Sequence, residues 1–148
     1  MNAIGNSGRT DNVNGQPLTY WQDTAIFITW DDWGGWYDHV LPVFQGRANQ
    51  NDYQLSFRVP LLVVSAYSTR VGYISNSQAD FGSIVRAIEG IVGVQEGGLG
   101  FADARTNNDL HDFFNFAQTP TTYTTIPAPL TGSFFTSGTA LLEPPDTD

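Results

Sequence analysis

Two uninterrupted apolar runs are the clearest strand signals in the sequence. Residues 24–30 are rich in β-branched and aromatic side chains and are apolar on both faces. Residues 59–66 (VPLLVVSA) form a second such run, with Pro60 near its start. Strands that are exposed on one face alternate polar and apolar residues, whereas strands buried on both faces do not. The pattern therefore predicts two fully buried parallel strands.

A helical repeat follows the second apolar run. Asp80 can cap or charge the start of this helix, and Gly93 can end it. The apolar positions that recur at helical spacing are Phe81, Ile84, Val85, Ile88, Ile91 and Val92. The sequence therefore predicts one helix over residues 80–92.

The rest of the chain is polar and irregular. Residues 2–16, 45–56 and 68–77 read as loops, and residues 119–148 are rich in Thr, Pro, Gly and Ser. We expect a main segment over residues 1–118 and an extended tail over residues 119–148 that packs on a neighbour or stays mobile. One helix and two buried strands cannot cover each other, so the pattern indicates part of a larger α/β fold.

Composition argues against several classes of partner and of site. The formal net charge is −9, and all six basic residues are arginines, so no basic surface is available for a nucleic acid. The sequence has no cysteine, which excludes disulfides, thiolate zinc sites and a thiol nucleophile. No apolar run is long enough to cross a membrane, and the first seven residues lack the layout of a signal peptide.

The candidate chemistry lies directly after the first apolar run, at residues 29–40 (TWDDWGGWYDHV). Adjacent carboxylates at Asp31 and Asp32 repel each other unless a cation lies between them, and hard divalent metals prefer such oxygen ligands. The alternative is a turn pair in which one aspartate caps a backbone N–H. The spacing alone leaves both interpretations open.

His39 follows the Gly-Gly turn of the same run, seven residues after Asp32. A histidine near a metal can donate a hydrogen bond to a phosphoryl oxygen or protonate a leaving group. The alternative is a structural histidine, with Asp38 beside it as a surface charge. The aromatic residues of the run could form the rim of a binding site or pack into a core; they are Trp30, Trp33, Trp36 and Tyr37.

Other polar residues carry weaker signals. Ser65 and Ser83 lack the strained glycine-serine-glycine elbow of a nucleophile, which favours structural roles. His111 is predicted to lie on a helical surface. The glycines of residues 97–100 lack the preceding strand that a dinucleotide-binding fingerprint requires.

Three segments, in order, resemble the bacterial phosphoesterases that include phospholipase C and related acid phosphatases. Residues 21–40 are similar to the family pattern TAI…T(W/Y)D(D/E)xGGxYDHV, and residues 58–67 (RVPLLVVSAY) to RVPxLVISPY. Residues 72–84 resemble GYVSHTQYDFGSIL. The resemblance extends over residues 2–116.

The resemblance implies the C-terminal part of an alkaline-phosphatase-like α/β/α sandwich and hydrolysis of phosphate mono- or diesters, including phospholipids. It matches Asp31 and Asp32 to paired ligands of a divalent metal ion, and His39 to a histidine on the phosphate side. Asn76 stands where relatives often carry a histidine, and it cannot shuttle a proton at neutral pH. A full-length relative of this family is expected to be secreted or periplasmic.

The family's nucleophile and further metal ligands lie in an N-terminal portion, near an ENxSFD-like motif that nothing in this sequence matches. We therefore expect a segment with little activity by itself, completed by a separate N-terminal half or by self-association. Two alternatives stay open at this point. One is a non-catalytic remnant, and the other is a module that binds a sugar or lipid headgroup through the tryptophan cluster.

Overall fold

The computed structural model describes residues 1–13, 16–45, 53–106 and 108–137. Its helices and strands are compatible with the predicted α/β class. In chain order they are α1 (Asn2–Gly5), β1 (Gly8–Val13), β2 (Gln16–Thr19), a 3₁₀ turn (Trp21–Asp23), β3 (Ala25–Thr29), β4 (Phe44–Gln45), β5 (Tyr53–Gln54), β6 (Leu61–Ser65), α2 (Phe81–Val92), α3 (Phe101–Ala104), a second 3₁₀ turn (His111–Phe113) and α4 (Gly132–Thr136). Within the described residues, the strands form three separate two-stranded antiparallel sheets: β1–β2, β3–β6 and β4–β5.

The two predicted strands exist and pair with each other, but their predicted direction is wrong. β3 and β6 are antiparallel, with Ala25 opposite Ser65 and Thr29 opposite Leu61. A parallel pair needs a crossover connection, whereas the connection from β3 to β6 contains the antiparallel β4–β5 pair. Full burial is wrong as well, because Leu62 is 60% exposed. An uninterrupted apolar run shows that both faces are apolar, but it does not give the direction of the neighbouring strand.

Helix α2 confirms the predicted helix and both of its ends. Asp80 is the N-cap and forms a capping box with Ser83, and Gly93 ends the helix in the left-handed conformation, at φ 75°. Gly82 lies so close to α3 that a Cβ atom there would clash with the carbonyl oxygen of Ala102. This close approach explains a glycine in the first turn of a helix, where it lowers intrinsic stability.

The N-terminal segment differs from the predicted loop, because α1 and the β1–β2 hairpin occupy much of residues 2–16. Val13 pairs directly with Gln16. The Asn-Gly dipeptide at positions 14–15 is the sequence signal for a two-residue hairpin connection, although those two residues lie outside the described part of the chain.

The first part of the C-terminal tail packs against Trp21 and Ala66, one of the two behaviours expected for it. The Nε1 atom of Trp21 donates to the carbonyl oxygen of Thr121 at 2.7 Å. The backbone N–H of Thr121 in turn donates to the carbonyl oxygen of Ala66 at 2.9 Å. The described part of the tail also contains the short helix α4, and residues 138–148 lie outside the described part. The division at residues 118 and 119 stays a prediction.

The core is small and partly polar. Its buried apolar residues are Trp21, Ala66, Ala87, Leu110 and Phe114, and its buried polar residues are Ser65, Ser83, Glu89, Asp103 and Thr106. Among the described residues, no helix is long and apolar enough to cross a membrane.

Candidate functional site

A tight turn shapes the loop that follows β3. The hydroxyl of Thr29 donates to the carbonyl oxygen of Pro60 at 2.8 Å, which ties the end of β3 to the start of β6. Gly34 and Gly35 both have positive φ angles, of 63° and 74°, and the N–H of Trp36 donates to the carbonyl oxygen of Trp33 at 3.1 Å. Two central residues with positive φ are typical of a type I′ turn, which glycine adopts without strain.

Asp31 and Asp32 lie together in an open cleft of about 540 Å³, which we call the aspartate cleft. Its aromatic wall consists of Trp30, Trp33 and Trp36. The Oδ1 atom of Asp32 accepts the backbone N–H of Gly34 at 2.6 Å, so this residue makes the capping turn that the alternative interpretation describes. That bond engages one of the four carboxylate oxygens of the pair.

The carboxylate oxygens of Asp31 and Asp32 are the type of ligand that a divalent cation prefers, but two side chains supply too few ligands. Ca²⁺ takes 6 to 8 oxygen ligands, and Mg²⁺ needs an octahedral set. Among the described residues, no group of three or more His, Cys, Asp or Glu side chains could hold a metal ion. Any metal held by Asp31 and Asp32 therefore needs water, substrate or further protein ligands as well.

His39 lies on the same loop but lines neither the aspartate cleft nor the second cleft described below. Its side chain is 87% exposed, and its Nδ1 atom is 3.7 Å from the Oδ1 atom of Asp38. That distance is too long for a hydrogen bond. The structure thus brings Asp31 and Asp32 together and leaves His39 exposed nearby in sequence.

Asp38 and Arg58 form an ion pair that the sequence analysis missed. The Nε and Nη2 atoms of Arg58 donate to the two carboxylate oxygens at 2.7 and 2.9 Å, and the backbone N–H groups of Arg58 and Val40 donate to the same carboxylate at 3.2 and 3.1 Å. The hydrogen bonds from Arg58 hold the pKa of Asp38 well below its usual range.

A surface charge at Asp38 is part of the alternative interpretation of His39; in the structure the Asp38 side chain is 13% exposed and is paired with Arg58. The sequence feature that pointed to an ion pair was Arg58 itself, since a lone arginine directly before an apolar strand needs an acidic partner or solvent. The partner could not be chosen from sequence because 20 residues separate the two.

A second cleft, of about 470 Å³, adjoins the first, and we call it the arginine cleft. Asp38, Arg58 and Tyr37 line it together with the three tryptophans of the aspartate cleft. Trp33 and Tyr37 both pack edge-on against Phe57, at ring-centroid distances of 5.4 and 5.5 Å. The aromatic cluster therefore serves as a rim and as packing at once.

The remaining candidates lie elsewhere. Ser65 and Ser83 are buried and hydrogen-bonded to neighbours, Ser83 through a 2.9 Å contact with the hydroxyl of Thr106, which fits structural roles. His111 is exposed and begins the second 3₁₀ turn, in agreement with its predicted surface position. Asn76 is exposed and lines neither cleft.

Comparison with known proteins identifies the family. The model of the Phosphoesterase family matches residues 13–95, which include both aspartates, His39 and the helix capped by Asp80. The chain belongs to the Phosphoesterase family. This confirms the resemblance carried by the three sequence segments.

Curated relatives of this phosphoesterase chain are phospholipases C. The non-hemolytic phospholipase C of Burkholderia pseudomallei is 32% identical over 90 residues, which cover 47% of this chain and 13% of that protein. Phospholipase C B of Mycobacterium tuberculosis is 29% identical over 119 residues, 68% of this chain and 23% of that protein. The chain thus spans less than a quarter of the length of either relative. No solved structure matches it significantly.

Proposed function

We propose that this phosphoesterase chain forms one wall of a metal-dependent site that hydrolyses phosphate mono- or diesters, as in phospholipases C or acid phosphatases. The observation that carries the proposal is the pair Asp31 and Asp32, side by side in a cleft within the family-matched segment. Phospholipids are the substrates suggested by the names of the relatives.

In the proposed site, Asp31 and Asp32 would hold a divalent metal ion, which when bound would stabilise negative charge on the phosphoryl oxygens. His39, exposed on the same loop, would donate a hydrogen bond to a phosphoryl oxygen or a proton to the leaving group. A hydroxyl nucleophile, as in other covalent phosphoesterase mechanisms, comes from the N-terminal portion of the family domain.

The proposal includes a larger fold, the C-terminal part of an alkaline-phosphatase-like α/β/α sandwich. Its support is the apolar surface left uncovered on both elements that would face other layers. Ile28 and Leu62 are exposed on the β3–β6 sheet, as are Ile91 and Val92 on α2. A separate N-terminal half, or a second copy of the chain, would cover such surface. For a full-length protein we propose a secreted or periplasmic location.

Terbium luminescence tests the metal ligands without any need for activity. Tb³⁺ binds carboxylate sites, and tryptophans beside it transfer excitation energy to it, so Trp30, Trp33 and Trp36 act as built-in reporters. Asp31→Asn combined with Asp32→Asn should weaken terbium binding about tenfold or more, because two charged ligands are lost. Asp109→Asn, an aspartate outside both clefts, is the matched control. Equal binding by the double variant and wild type would refute the assignment.

The tryptophan-lined clefts support a second candidate, a module that binds a sugar or lipid headgroup. This candidate predicts binding that survives both chelation and the double aspartate substitution. The phosphoesterase proposal predicts that binding of a phosphate ester is lost in both cases. A non-catalytic remnant, the third candidate, predicts no ligand binding in either cleft.

A further inference from the structure

Arg58 is the cationic group of the arginine cleft, and its surroundings suggest a use beyond packing. Its side chain is 62% exposed. The carboxylate occupies Nε and Nη2 only. In the part of the chain that the structure describes, Nη1 has no hydrogen-bond acceptor.

The guanidinium of Arg58 is held in place more firmly than in most surface ion pairs. Most exposed ion pairs are loose, since ordering two long side chains costs entropy. Here the carboxylate is fixed by backbone N–H groups of Val40 and Arg58, so the guanidinium plane is fixed too. A planar guanidinium with one edge free is suited to the tetrahedral oxygens of a phosphate group.

The position of Arg58 relates it to the proposed metal ligands. The arginine cleft and the aspartate cleft share Trp30, Trp33 and Trp36, so a small ligand in one adjoins the other. A phosphate group bound between them would meet a cation on one side and carboxylate-bound metal on the other. The carboxylate of Asp38 already balances the charge of Arg58, so the contribution of Arg58 would be the directed hydrogen bonds from its free edge.

We propose that Arg58 is a phosphate-binding residue of this site and that Asp38 is the residue that positions it. The inference rests on the proposed function, because it assigns a contact for the phosphate group of the same substrate class. Free phosphate and the phosphate of an ester share the recognised chemistry, so the test uses both.

Calorimetric titration with inorganic phosphate and with phosphorylcholine, with and without added divalent metal, tests the contact. Arg58→Gln should lower affinity about tenfold or more, the effect of losing a hydrogen bond to a charged group. Arg58→Lys keeps the charge beside Asp38 but loses the fork, so it should bind more tightly than Arg58→Gln and more weakly than wild type. Arg70→Gln, at an exposed arginine that lines neither cleft, should bind like wild type.

The positioning role has its own spectroscopic test. In proton–nitrogen NMR spectra, the Nε–H signal of Arg58 should shift when phosphate is added to wild type. Asp38→Asn should move or broaden that signal before phosphate is added, and should lower affinity by less than Arg58→Gln. An unchanged Nε–H signal in Asp38→Asn would overturn the positioning role.

The outcomes separate this inference from the proposal on which it rests. Wild-type affinity in Arg58→Gln, an equal loss in Arg70→Gln, or no phosphate binding by wild type would each overturn the role of Arg58. If phosphate binding survives Arg58→Gln but fails in the double aspartate variant, the metal proposal stands without Arg58. If phosphate binding fails in Arg58→Gln but survives in the double aspartate variant, the role of Arg58 is supported and the metal-ligand assignment is overturned.

Discussion

Replacing Asp80 by alanine removes two different interactions at the start of α2. The Oδ1 atom of Asp80 accepts the backbone N–H of Ser83 at 3.0 Å, which caps the helix. The Oδ2 atom accepts the Nη2 of Arg105 at 2.7 Å, in a pair whose side chains are only 8% and 10% exposed. The guanidinium also lies 4.5 Å from the centre of the Tyr53 ring.

The two losses differ in size. Loss of an N-cap costs about 1 kcal/mol, and removal of one partner from a buried ion pair costs roughly 3 to 5 kcal/mol. Arg105 keeps the carbonyl oxygens of Phe101 and Ala102 as acceptors, which favours the lower end of that range. We therefore expect Asp80→Ala to lower the free energy of unfolding by about 4 kcal/mol, a large part of a typical 5 to 15 kcal/mol.

An asparagine at position 80 separates the contribution of the helix cap from that of the ion pair. Asp80→Asn retains an oxygen for the Ser83 N–H but loses the charge, so it should cost about 3 kcal/mol. Urea unfolding followed by tryptophan fluorescence and by circular dichroism gives the free energies, with Asp109→Asn as a control. A cost below about 0.5 kcal/mol for Asp80→Asn would refute the reasoning. So would strict additivity with Arg105→Met, since residues that interact directly should be coupled.

Two further predictions concern the candidate site. The pKa of Asp38 is lowered in the folded state, so its pair with Arg58 stabilises the fold above the unfolded pKa of about 4 and loses this effect as pH falls through the folded value. The difference in melting temperature between wild type and Asp38→Asn should therefore shrink below about pH 4; a constant difference would contradict this. The purified chain alone should show little or no hydrolysis of p-nitrophenyl phosphate or phosphorylcholine esters, and metal-dependent hydrolysis would contradict that expectation.

Local signals in the sequence predicted the elements that local physics determines. Helix α2 was predicted with both ends because its cap, its apolar repeat and its terminal glycine lie within 14 residues, from Asp80 to Gly93. β3 and β6 were predicted because runs of β-branched and aromatic residues favour extended strands, although these runs did not give the burial of the strands. The adjacent position of Asp31 and Asp32 followed from their order in the chain.

The direction of the strand pair and the partner of Arg58 depend on tertiary contacts, which the sequence does not show. The direction of β3 against β6 depends on how a connection of about 30 residues turns, and no single residue records it. Arg58 could have met any of the nearby carboxylates, and only the folded loop shows that it meets Asp38. The exposed orientation of His39 is likewise visible only in the folded loop.

The contact between the two ends of the described chain has a consequence for folding. The side-chain amide of Asn2 donates to the carbonyl oxygen of Ile126 at 2.8 Å, and its oxygen accepts the N–H of Ile126 at 3.0 Å. These bonds join residues 124 positions apart, and loop closure on that scale is slow compared with helix formation. During synthesis, α1 leaves the ribosome long before its partner exists. We therefore expect the first helix of the chain to be among the last elements to dock.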